Sequence, residues 1–381
     1  MKSILIAATE RTPLAPLDDC FLAPMLPLVD RPVMVYTIEL LARNNIKNLS
    51  VVLPSKSTKI EHYFKDGKRW NVNLTYLQAH QPMGDASALR KWAERHREPF
   101  LVMAADAFID FDIDAAVKRH RQTGAQITMI LAQDTERERP HRTVQIDATA
   151  SVIGLGSEGD TKKLQATGAY ICNPEILQYI PADQPCDFYH HWVPALLEQG
   201  QTVSSFTIDG YWNPLDSFAA YQEAQEVCLA ALTNGQYDGQ HDVARRRRIR
   251  KLYADGHHAR NGLWRAPNST IHASATITPP VYVGEGSQIG ADVEVGPNVV
   301  IGAHVVVDEG ATIRNSTILR NTYVGQLVEL DNRIVNKSLL IDAKTGEYTQ
   351  ITDDFLLSEA SSTIVGHRLK NLVGRMIGFF L

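Results

Sequence analysis

The chain has 381 residues, of which 44% are hydrophobic and 21% are charged, which is typical of a soluble protein with two or three domains. Its net charge of −5 argues against nucleic acid as the main partner. The four cysteines have neither metal-binding nor disulfide spacing, which predicts reduced thiols and a cytoplasmic location. The apolar run at residues 4–8 is too short for a signal peptide, and no run of 18 apolar residues occurs that would span a membrane as a helix.

The first predicted elements are a strand, a loop and a helix. Residues 3–8 predict a buried strand, and residues 33–41 predict a helix with Asp30 as its N-cap and Pro32 in its first turn. A loop rich in proline joins the two elements. Because helix N-termini carry free N–H groups and positive potential, this arrangement favours phosphate binding.

Strand and helix patterns alternate up to about residue 225. The predicted strands are 48–53, 72–77, 100–104 and 125–131, and the predicted helices are 57–65, 86–96 and 113–121. This alternation predicts an α/β domain, residues 1–225, with a Rossmann-like, mostly parallel sheet. In such sheets a ligand lies at the carboxyl ends of the strands.

Residues 226–262 interrupt the alternation and predict a linker. Residues 233–240 are polar and rich in turn formers, and a basic run follows at residues 245–251. Such a run is typical of a solvated face or an inter-subunit contact, and a nucleic-acid site is the weaker interpretation.

Residues 263–341 have the pattern of a left-handed parallel β-helix. An aliphatic residue recurs at every sixth position from Ile271 to Leu319, and a mostly small or β-branched residue lies four positions after each. In this fold each triangular coil takes three hexads, and the aliphatic side chain points into the prism. The pattern predicts three coils, with a weaker continuation to Ile341.

The last segment, residues 342–381, is predicted to end in an amphipathic helix at 362–381. Its apolar positions have helical spacing, and Arg368, Lys370 and Arg375 lie on or beside the apolar stripe, without any acidic residue. Two partners remain open for this helix: the β-helix of the same or a sister subunit, or an anionic membrane surface as a peripheral contact.

Residues 7–17, followed by 24–28 and 31–32, resemble the opening of the sugar-phosphate nucleotidyltransferases, the nucleotide-sugar pyrophosphorylases that include mannose-1-phosphate guanylyltransferase. In that family the first part reads Ala-Gly-Gly-x-Gly-Thr-Arg-Leu-x-Pro-Leu and the second Pro-Lys-Pro-Met-Leu-Pro. The scaffold positions match at residues Thr12, Leu14, Pro16, Leu17, Pro24, Met25, Leu26 and Pro27. The resemblance implies that Ala8 and Thr9 contact the nucleotide phosphates.

Two further stretches carry the same resemblance and imply the base site and the metal site. Residues 81–89 resemble the family segment that holds the base, which assigns Gly84 and Asp85 to nucleotide binding, although Asp85 as a helix cap is an equally good interpretation. Residues 100–106 resemble the family strand that ends in a metal-binding aspartate. The resemblance therefore implies that Asp106 is catalytic and holds Mg²⁺ together with the nucleotide phosphates.

The implied sugar site lies in residues 157–171. Residues 166–171 resemble the family's Asn-Ala-Gly-Ile-Tyr-Val, which assigns Gly168 to sugar binding, and Glu158 matches the glutamate of an upstream Glu-Lys-Pro motif. Residues 210–218 resemble the family's Gly-Tyr-Trp-x-Asp segment, but the second metal aspartate falls on Pro214. Asp216, two residues further on, is the alternative ligand.

The charged groups of the family site are mostly replaced. The family arginine falls on Pro13, the loop lysine on Ala23, and the sugar-site lysine is also missing. Arg11, two residues before the missing arginine, is the remaining candidate for a catalytic cation. The acidic residues Asp110, Asp112 and Asp114 are interpreted as caps of the following helix.

The resemblance therefore implies a protein of nucleotide-sugar metabolism whose own catalysis is weak or absent, and which binds or regulates as a homo-oligomer or beside an active paralogue. An active sugar-1-phosphate nucleotidyltransferase remains an alternative. A second alternative is a hexapeptide acyltransferase with His272 or His304 as its base, because many acyltransferases share the β-helix.

Overall fold

The computed structural model describes residues 1–7, 14–53, 58–78, 89, 92, 97–133, 142–156, 164–180, 186–232, 257–259 and 262–360. These residues form two compact units. The first comprises Met1–Leu26 and Pro32–Leu215, and the second comprises Pro27–Arg31 and the described residues from Asp216 onward. None of the described helices is long and apolar enough to cross a bilayer.

The elements up to residue 215 alternate between strands and helices. The helices are α1 (Val33–Arg43), α2 (Thr58–Phe64), α3 (Ile113–Thr123) and α4 (Val193–Glu198). The strands are β1 (Lys2–Ile6), β2 (Pro27–Leu28), β3 (Arg31–Pro32), β4 (Asn48–Leu53), β5 (Asn73–Gln78), β6 (Phe100–Ala104), β7 (Phe108–Asp110), β8 (Ile127–Gln133), β9 (Val144–Ile146), β10 (Val152–Leu155), β11 (Leu164–Cys172), β12 (Val203–Thr207) and β13 (Tyr211–Asn213).

Seven of these strands form the central sheet of the first unit, in the order β12-β8-β11-β6-β1-β4-β5. Strand β11 runs antiparallel to β6 and β8, and the other neighbouring strands are parallel. The predicted mostly parallel α/β sheet is confirmed. The antiparallel strand was not predicted, because an apolar run carries no information about its direction.

Both faces of this sheet are buried. Alternate residues of β1 point to opposite faces, so Ile4 and Ile6 join one apolar cluster while Leu5 and Ala7 join the other. Trp192 packs in the first cluster and Met34 of α1 in the second. Full burial of each large apolar side chain contributes about 1.5–3 kcal/mol, so the two clusters hold the strand ends in fixed positions.

The second unit contains one long helix and a stack of short strands. The helix is α5 (Phe218–Leu232). The strands are β14 (His257–Ala259), β15 (Leu263–Arg265), β16 (Thr270–Ile271), β17 (Thr276–Ile277), β18 (Val281–Val283), β19 (Gln288–Ile289), β20 (Glu294–Val295), β21 (Val299–Ile301), β22 (Val306–Val307), β23 (Thr312–Arg314), β24 (Thr317–Ile318), β25 (Thr322–Val324), β26 (Glu329–Asp331), β27 (Arg333–Asn336), β28 (Leu339–Asp342), β29 (Tyr348–Gln350) and β30 (Leu357–Glu359).

Strands β15 to β27 stack in parallel on three sheets, as in a β-helix, whereas β14, β28, β29 and β30 pair antiparallel with these sheets. In the early coils each strand pairs with the strand 18 residues later, as Val281 pairs with Val299. After Ile313 the offset falls to 17, and Ile301 pairs with Ile318. Ile318 therefore takes the inward position that the sequence pattern assigned to Leu319, because the turn between β23 and β24 is one residue shorter. The predicted continuation of the coils beyond Leu319 is present in β25, β26 and β27.

Helix α5 covers one outer face of the β-helix and lies against β21. The outward side chains Tyr282, Val300 and Thr317 are buried there. Gln222 of α5 donates to the Asn315 carbonyl oxygen at 3.2 Å and accepts from the Thr317 hydroxyl at 3.0 Å. The sequence pattern gave a boundary at residue 225, whereas the whole of α5 packs with the second unit, because this helix has an apolar and amide face that fits the β-helix.

Strands β2 and β3 form a tight hairpin. Residues Pro27–Arg31 of this hairpin belong to the second unit. Its two turn residues, Val29 and Asp30, have φ values of 44° and 66°, which a β-branched residue such as valine rarely adopts. The turn is held by α5: the Gln225 side chain accepts from the Val29 N–H at 2.7 Å, and the Tyr221 hydroxyl donates to the Pro27 carbonyl oxygen at 2.5 Å.

Asp30 is not the N-cap of α1, and that prediction is wrong. Pro32 occupies the N-cap position, and the Asp30 carboxylate lies 3.5 Å from the Arg320 guanidinium of the β-helix. Burial raises the pKa of Asp30 above its usual value, and the positive field of Arg320 only partly opposes this. Asp30 therefore serves the hairpin and its contact with the β-helix.

Candidate functional site

The carboxyl edge of the central sheet is formed by the ends of β1, β4 and β6. The Ala105 N–H donates to the Ile6 carbonyl oxygen at 3.0 Å, and the Ala7 N–H donates to the Val52 carbonyl oxygen at 2.9 Å. These bonds extend the pairing beyond the strand ends. The chain continues from Ala7 into residue 8, where the phosphate-contacting segment is predicted to begin.

Asp106 lies at this edge, two residues after the end of β6. Its neighbour Ala105 is fully buried and fixed by the bond to β1, while Asp106 is partly exposed. A partly exposed carboxylate at the end of a buried parallel strand can bind a hydrated cation, because Mg²⁺ takes one or two protein carboxylates and completes its shell with water and phosphate oxygens.

Gly168 lies at the same edge, inside a bulge of β11. The pairing with β8 shifts between Ala166 and Tyr170, and the Thr167 hydroxyl donates to the Ile130 carbonyl oxygen at 2.8 Å, which replaces a ladder bond. Gly168 has φ of 79°, and a β-carbon there would lie 3.0 Å from the Ala104 side chain. The structure therefore brings Gly168 and the strand end that precedes Asp106 together.

The segment predicted to carry the second metal ligand forms an antiparallel ribbon between β13 and β7. A β-carbon at Gly210 would lie 1.8 Å from the Asp110 carbonyl oxygen, so glycine is required for this approach. The buried Asn213 side chain accepts from the Leu215 N–H at 2.9 Å and donates to the Tyr211 hydroxyl at 3.0 Å. Pro214 lies in the turn that these bonds fix, and it offers no ligand atom from its side chain.

Asp216, the alternative metal ligand, belongs to the second unit and is half-buried immediately before α5. The next residue, Ser217, caps the helix by accepting from the Ala220 N–H at 3.1 Å. Within the described ranges no three His, Cys, Asp or Glu side chains form a metal-binding group. The metal assignment of Asp216 therefore stays a prediction from resemblance.

The acidic residues after β7 have separate roles. Asp112 is the N-cap of α3 and accepts from the Ala115 N–H at 2.9 Å, as predicted. Asp110 is not a cap: it is buried and forms an ion pair with Arg43 of α1 at 3.1 Å. Sequence reasoning missed this pair, because no local pattern connects residues 67 positions apart.

Two positions that carry charged or amide groups in the resembling family are buried here. Ala23 lies with Pro24 in a short 3₁₀ helix and is 9% exposed. Ala166 is 2% exposed and packs in the apolar cluster on one face of the sheet. Buried alanines at these positions suit apolar packing and supply no phosphate-binding cation.

Six predicted site residues lie outside the described residues: Ala8, Thr9, Arg11, Gly84, Asp85 and Glu158. Near the predicted base segment, Leu89 and Trp92 are described, and both are helical and buried. The Trp92 indole N–H donates to the Ser50 hydroxyl at 2.7 Å, and its ring meets the Phe100 ring edge-on at 5.1 Å. These contacts anchor Trp92 against β4 and β6.

A buried polar group that sequence reasoning missed lies between α3 and the same sheet. His120 of α3 contacts the Thr128 hydroxyl at 2.8 Å and the Asn173 side-chain oxygen at 3.2 Å. Burial lowers the pKa of His120 below its usual value, despite the opposing bond to Asn173. The geometry fits a neutral ring whose Nε2 donates to Asn173 and whose Nδ1 accepts from Thr128.

Family comparison matches both parts of the chain. Residues 2–230 match the model described as nucleotidyl transferase, and residues 266–370 match the model described as GMPPB C-terminal domain.

Individual relatives are distant in sequence. A UTP–glucose-1-phosphate uridylyltransferase from Synechocystis sp. is 26% identical over 307 residues, covering 76% of this chain and 75% of that protein. A mannose-1-phosphate guanyltransferase from Eremothecium gossypii is 25% identical over 220 residues, covering 56% of this chain and 60% of that protein. A glucose-1-phosphate thymidylyltransferase from Streptomyces antibioticus is 23% identical and covers 61% of this chain and 67% of that protein.

Solved structures share the fold of the first part. A protein from Bacillus anthracis, described as a glucose-1-phosphate thymidylyltransferase in complex with a sucrose, superposes with a TM-score of 0.53 at 17% identity and covers 63% of this chain and 98% of that one. HddC from Yersinia pseudotuberculosis, complexed with GMP-PN, superposes with a TM-score of 0.51 at 16% identity, covering 59% of this chain and 98% of that one.

Proposed function

Because the chain belongs to the nucleotidyl transferase family, we propose that it binds a nucleotide or a nucleotide sugar and acts as a binding or regulatory subunit, with little turnover of its own. One observation carries this proposal. The backbone that would surround a ligand is well defined at the sheet edge, at the Gly168 bulge and at the Gly210 ribbon. Two positions where the family has charged groups are occupied by Ala23 and Pro214.

The physical argument concerns charge in the transition state. In the family reaction, a sugar 1-phosphate attacks the α-phosphate of a nucleoside triphosphate and releases pyrophosphate. Catalysis of phosphoryl transfer depends mainly on positioning and on cations that meet the developing charge. Loss of one preorganised stabiliser costs on the order of 10²–10³-fold in rate, and the losses at Pro13, Ala23 and Pro214 affect the same charge, although such effects are not additive.

Binding requires fewer charged groups than turnover. A base and a sugar are recognised mainly by backbone groups and by the space that small residues leave, and Gly168 supplies such space beside Ala104. For binding, positively charged or N–H groups need only compensate the free energy that the phosphates lose when they leave water. Ligand binding with weak catalysis is therefore the outcome that fits the retained and the replaced residues together.

Family members typically use a divalent metal. At this edge the first unit has Asp106, which is partly exposed, and the nearby Asp110 forms an ion pair with Arg43. One carboxylate is enough for Mg²⁺ when nucleotide phosphates and water complete its shell. Asp106 would hold the ion, which would supply positive charge to the bound phosphates.

The test is isothermal titration of the full-length protein with a panel of nucleotides and nucleotide sugars, in parallel with assays of pyrophosphate release. We expect binding of at least one ligand and pyrophosphate release far below that of an active enzyme. Absence of binding for the whole panel contradicts the binding role. Robust pyrophosphate release instead establishes the active nucleotidyltransferase, for which Arg11 would be the remaining cation.

The hexapeptide acyltransferase is the other candidate, and its histidines are described. His272 contacts the Ser274 hydroxyl at 2.8 Å, and His304 lies exposed on a corner of the β-helix with φ of 56°. Acetyl-CoA consumption in the same assays separates this activity from nucleotidyl transfer, and we expect none. We further propose a cytoplasmic protein that assembles with itself or with an active paralogue.

A further inference from the structure

The end of the β-helix carries a cluster of exposed apolar side chains. Leu327, Phe355 and Leu356 are 77%, 83% and 46% exposed. We call these three residues the terminal patch. Isolated exposed apolar residues are common on proteins, but several large ones at one place usually mark a contact surface.

Phe355 and Leu356 lie beside the backbone of Gly325, which is two residues before Leu327. The Gly325 N–H donates to the Leu356 carbonyl oxygen at 2.8 Å, and a β-carbon at Gly325 would lie 1.8 Å from the Phe355 carbonyl oxygen. Leu327 follows Gly325 by two residues on the same coil. The patch therefore joins a corner of the coil to the segment that leads into β30.

Leu327 is unusual for its backbone position. It has φ of 57°, which a branched apolar residue rarely adopts and which asparagine and aspartate tolerate better. The other described non-glycine residues of the β-helix with positive φ are polar, namely Asn268, Asp292, Asn298, His304, Asn315, Asn321, Asn332 and Lys337. The Leu327 side chain lies over Gly310 of the preceding coil, but it is still 77% exposed, so a covering partner would explain a leucine with this unfavourable backbone.

Three exposed acidic residues adjoin the terminal patch. Glu309 is exposed, and its carbonyl oxygen accepts from the Leu327 N–H at 3.1 Å. Asp353 and Asp354 are exposed and directly precede Phe355. The rim therefore fits a partner that is apolar on one stripe and positively charged beside it.

The chain itself provides such a partner. The described part ends close by, where the Ala360 N–H donates to the Asn321 carbonyl oxygen at 2.8 Å. Residues 362–381 then carry the predicted amphipathic stripe, three certain cations and no acid. Twenty residues in helical form span about 30 Å, which is longer than β30 and sufficient to run back along it to Phe355.

We propose that residues 362–381 of the same chain bind the terminal patch, with their apolar stripe on Leu327, Phe355 and Leu356 and their cations facing the acidic rim. Burial of the apolar side chains provides the affinity, and the charges orient the segment. The segment then completes the end of the β-helix. This inference goes beyond the proposed function and does not depend on it.

The test is hydrogen exchange of the full-length protein, read on the amides of residues 362–381. In the wild-type chain we expect these amides to exchange slowly. In the double variant Leu327→Asn, Phe355→Ser we expect protection to fall about tenfold or more, because the apolar contact is lost. Ile153→Ser removes an apolar side chain that is 62% exposed on the first unit, and this control variant should leave the exchange unchanged.

Charge is tested in the same way. Glu309→Lys together with Asp354→Lys should weaken protection and reduce its sensitivity to salt.

Fast exchange of residues 362–381 in the wild-type chain, or protection that is unchanged in the variant Leu327→Asn, Phe355→Ser, would overturn the proposal. Protection that disappears on dilution of the protein assigns the segment to a second copy. Protection that requires phosphatidylserine vesicles assigns it to a membrane. Both of these results would also overturn it.

Discussion

At the scale of single residues, the described part of the sheet edge carries the carboxylate of Asp106 and has buried alanines at two positions where the resembling family has polar groups. Asp106 stays partly exposed at the end of β6, while Ala23 and Ala166 are buried. The sequence was sufficient to locate Asp106, because the apolar run before it fixes where the strand ends. It was insufficient for Asp110, because the choice between a helix cap and an ion pair depends on Arg43, which tertiary packing brings to it.

We expect Asp106→Asn to abolish any metal-dependent activity or metal-dependent ligand binding while the fold is retained. The amide preserves the shape of the side chain and removes the charge that a divalent cation needs. The measurement is titration of the nucleotide panel with and without Mg²⁺, with a thermal melt as the check on folding. Equal Mg²⁺ dependence in the variant and the wild-type protein would show that the metal is held elsewhere.

A second residue-scale prediction concerns pH. Because burial lowers the pKa of His120 in the folded state, the unfolded state binds a proton first as the pH falls below the usual value of 6.5. Stability should therefore fall with decreasing pH in that range. We expect His120→Gln, which keeps hydrogen-bonding groups and does not titrate, to lose less stability than the wild-type chain between about pH 7.5 and about pH 5.5. Urea unfolding midpoints provide the measurement, and identical losses would contradict the assignment.

At the scale of elements, the strands and the repeats could be predicted from the sequence. The element that α5 packs against and the residue offset between paired strands of the β-helix could not. The apolar run of β6 gave its bounds, since a buried strand leaves a continuous apolar pattern. The six-residue period predicted the early coils. It did not predict that the coil after Ile313 is 17 residues long, because Ile318 and Leu319 are both aliphatic and either could point inward. Helix α5 resembled any helix of the α/β alternation, and only its contacts assign it to the β-helix.

Gln222 joins α5 to the β-helix by two hydrogen bonds. Gln222→Ala leaves the buried Thr317 hydroxyl and the Asn315 carbonyl oxygen without this partner. We expect the free energy of unfolding to fall by roughly 1–3 kcal/mol, the usual cost of a buried polar group that loses its bond. Denaturant unfolding measures the change, and Ala219→Ser on the exposed side of the helix is the matched control. A loss no greater than that of the control would rule out a stabilising role.

At the scale of the whole molecule, the β-helix has one outer face covered by α5, and exposed side chains such as Glu294 and Arg314 pair with each other on another. We predict that the full-length protein self-associates through the β-helix. Sedimentation should therefore give a mass above the 42.4 kDa of one chain. Deletion of 263–381 alone would also expose α5, so the informative deletion removes 216–381, and it should yield a monomer. A full-length protein that sediments as a monomer contradicts this prediction.

The contacts of the hairpin at residues 27–31 have a consequence for folding during synthesis on the ribosome. Asp30 and Arg320 are 290 positions apart, and Pro27 and Tyr221 are 194 apart. At the usual speed of translation, Arg320 is made about 15–60 s after Asp30. For about the first 10–40 s of that interval the Val29–Asp30 turn lacks helix α5, and until the end of the interval it lacks the coil that carries Arg320. The part of the chain from residue 216 onward therefore cannot be exchanged for that of another protein without a change to the hairpin. A foreign helix and β-helix joined at residue 216 would lack the residues that bind the hairpin at 27–31.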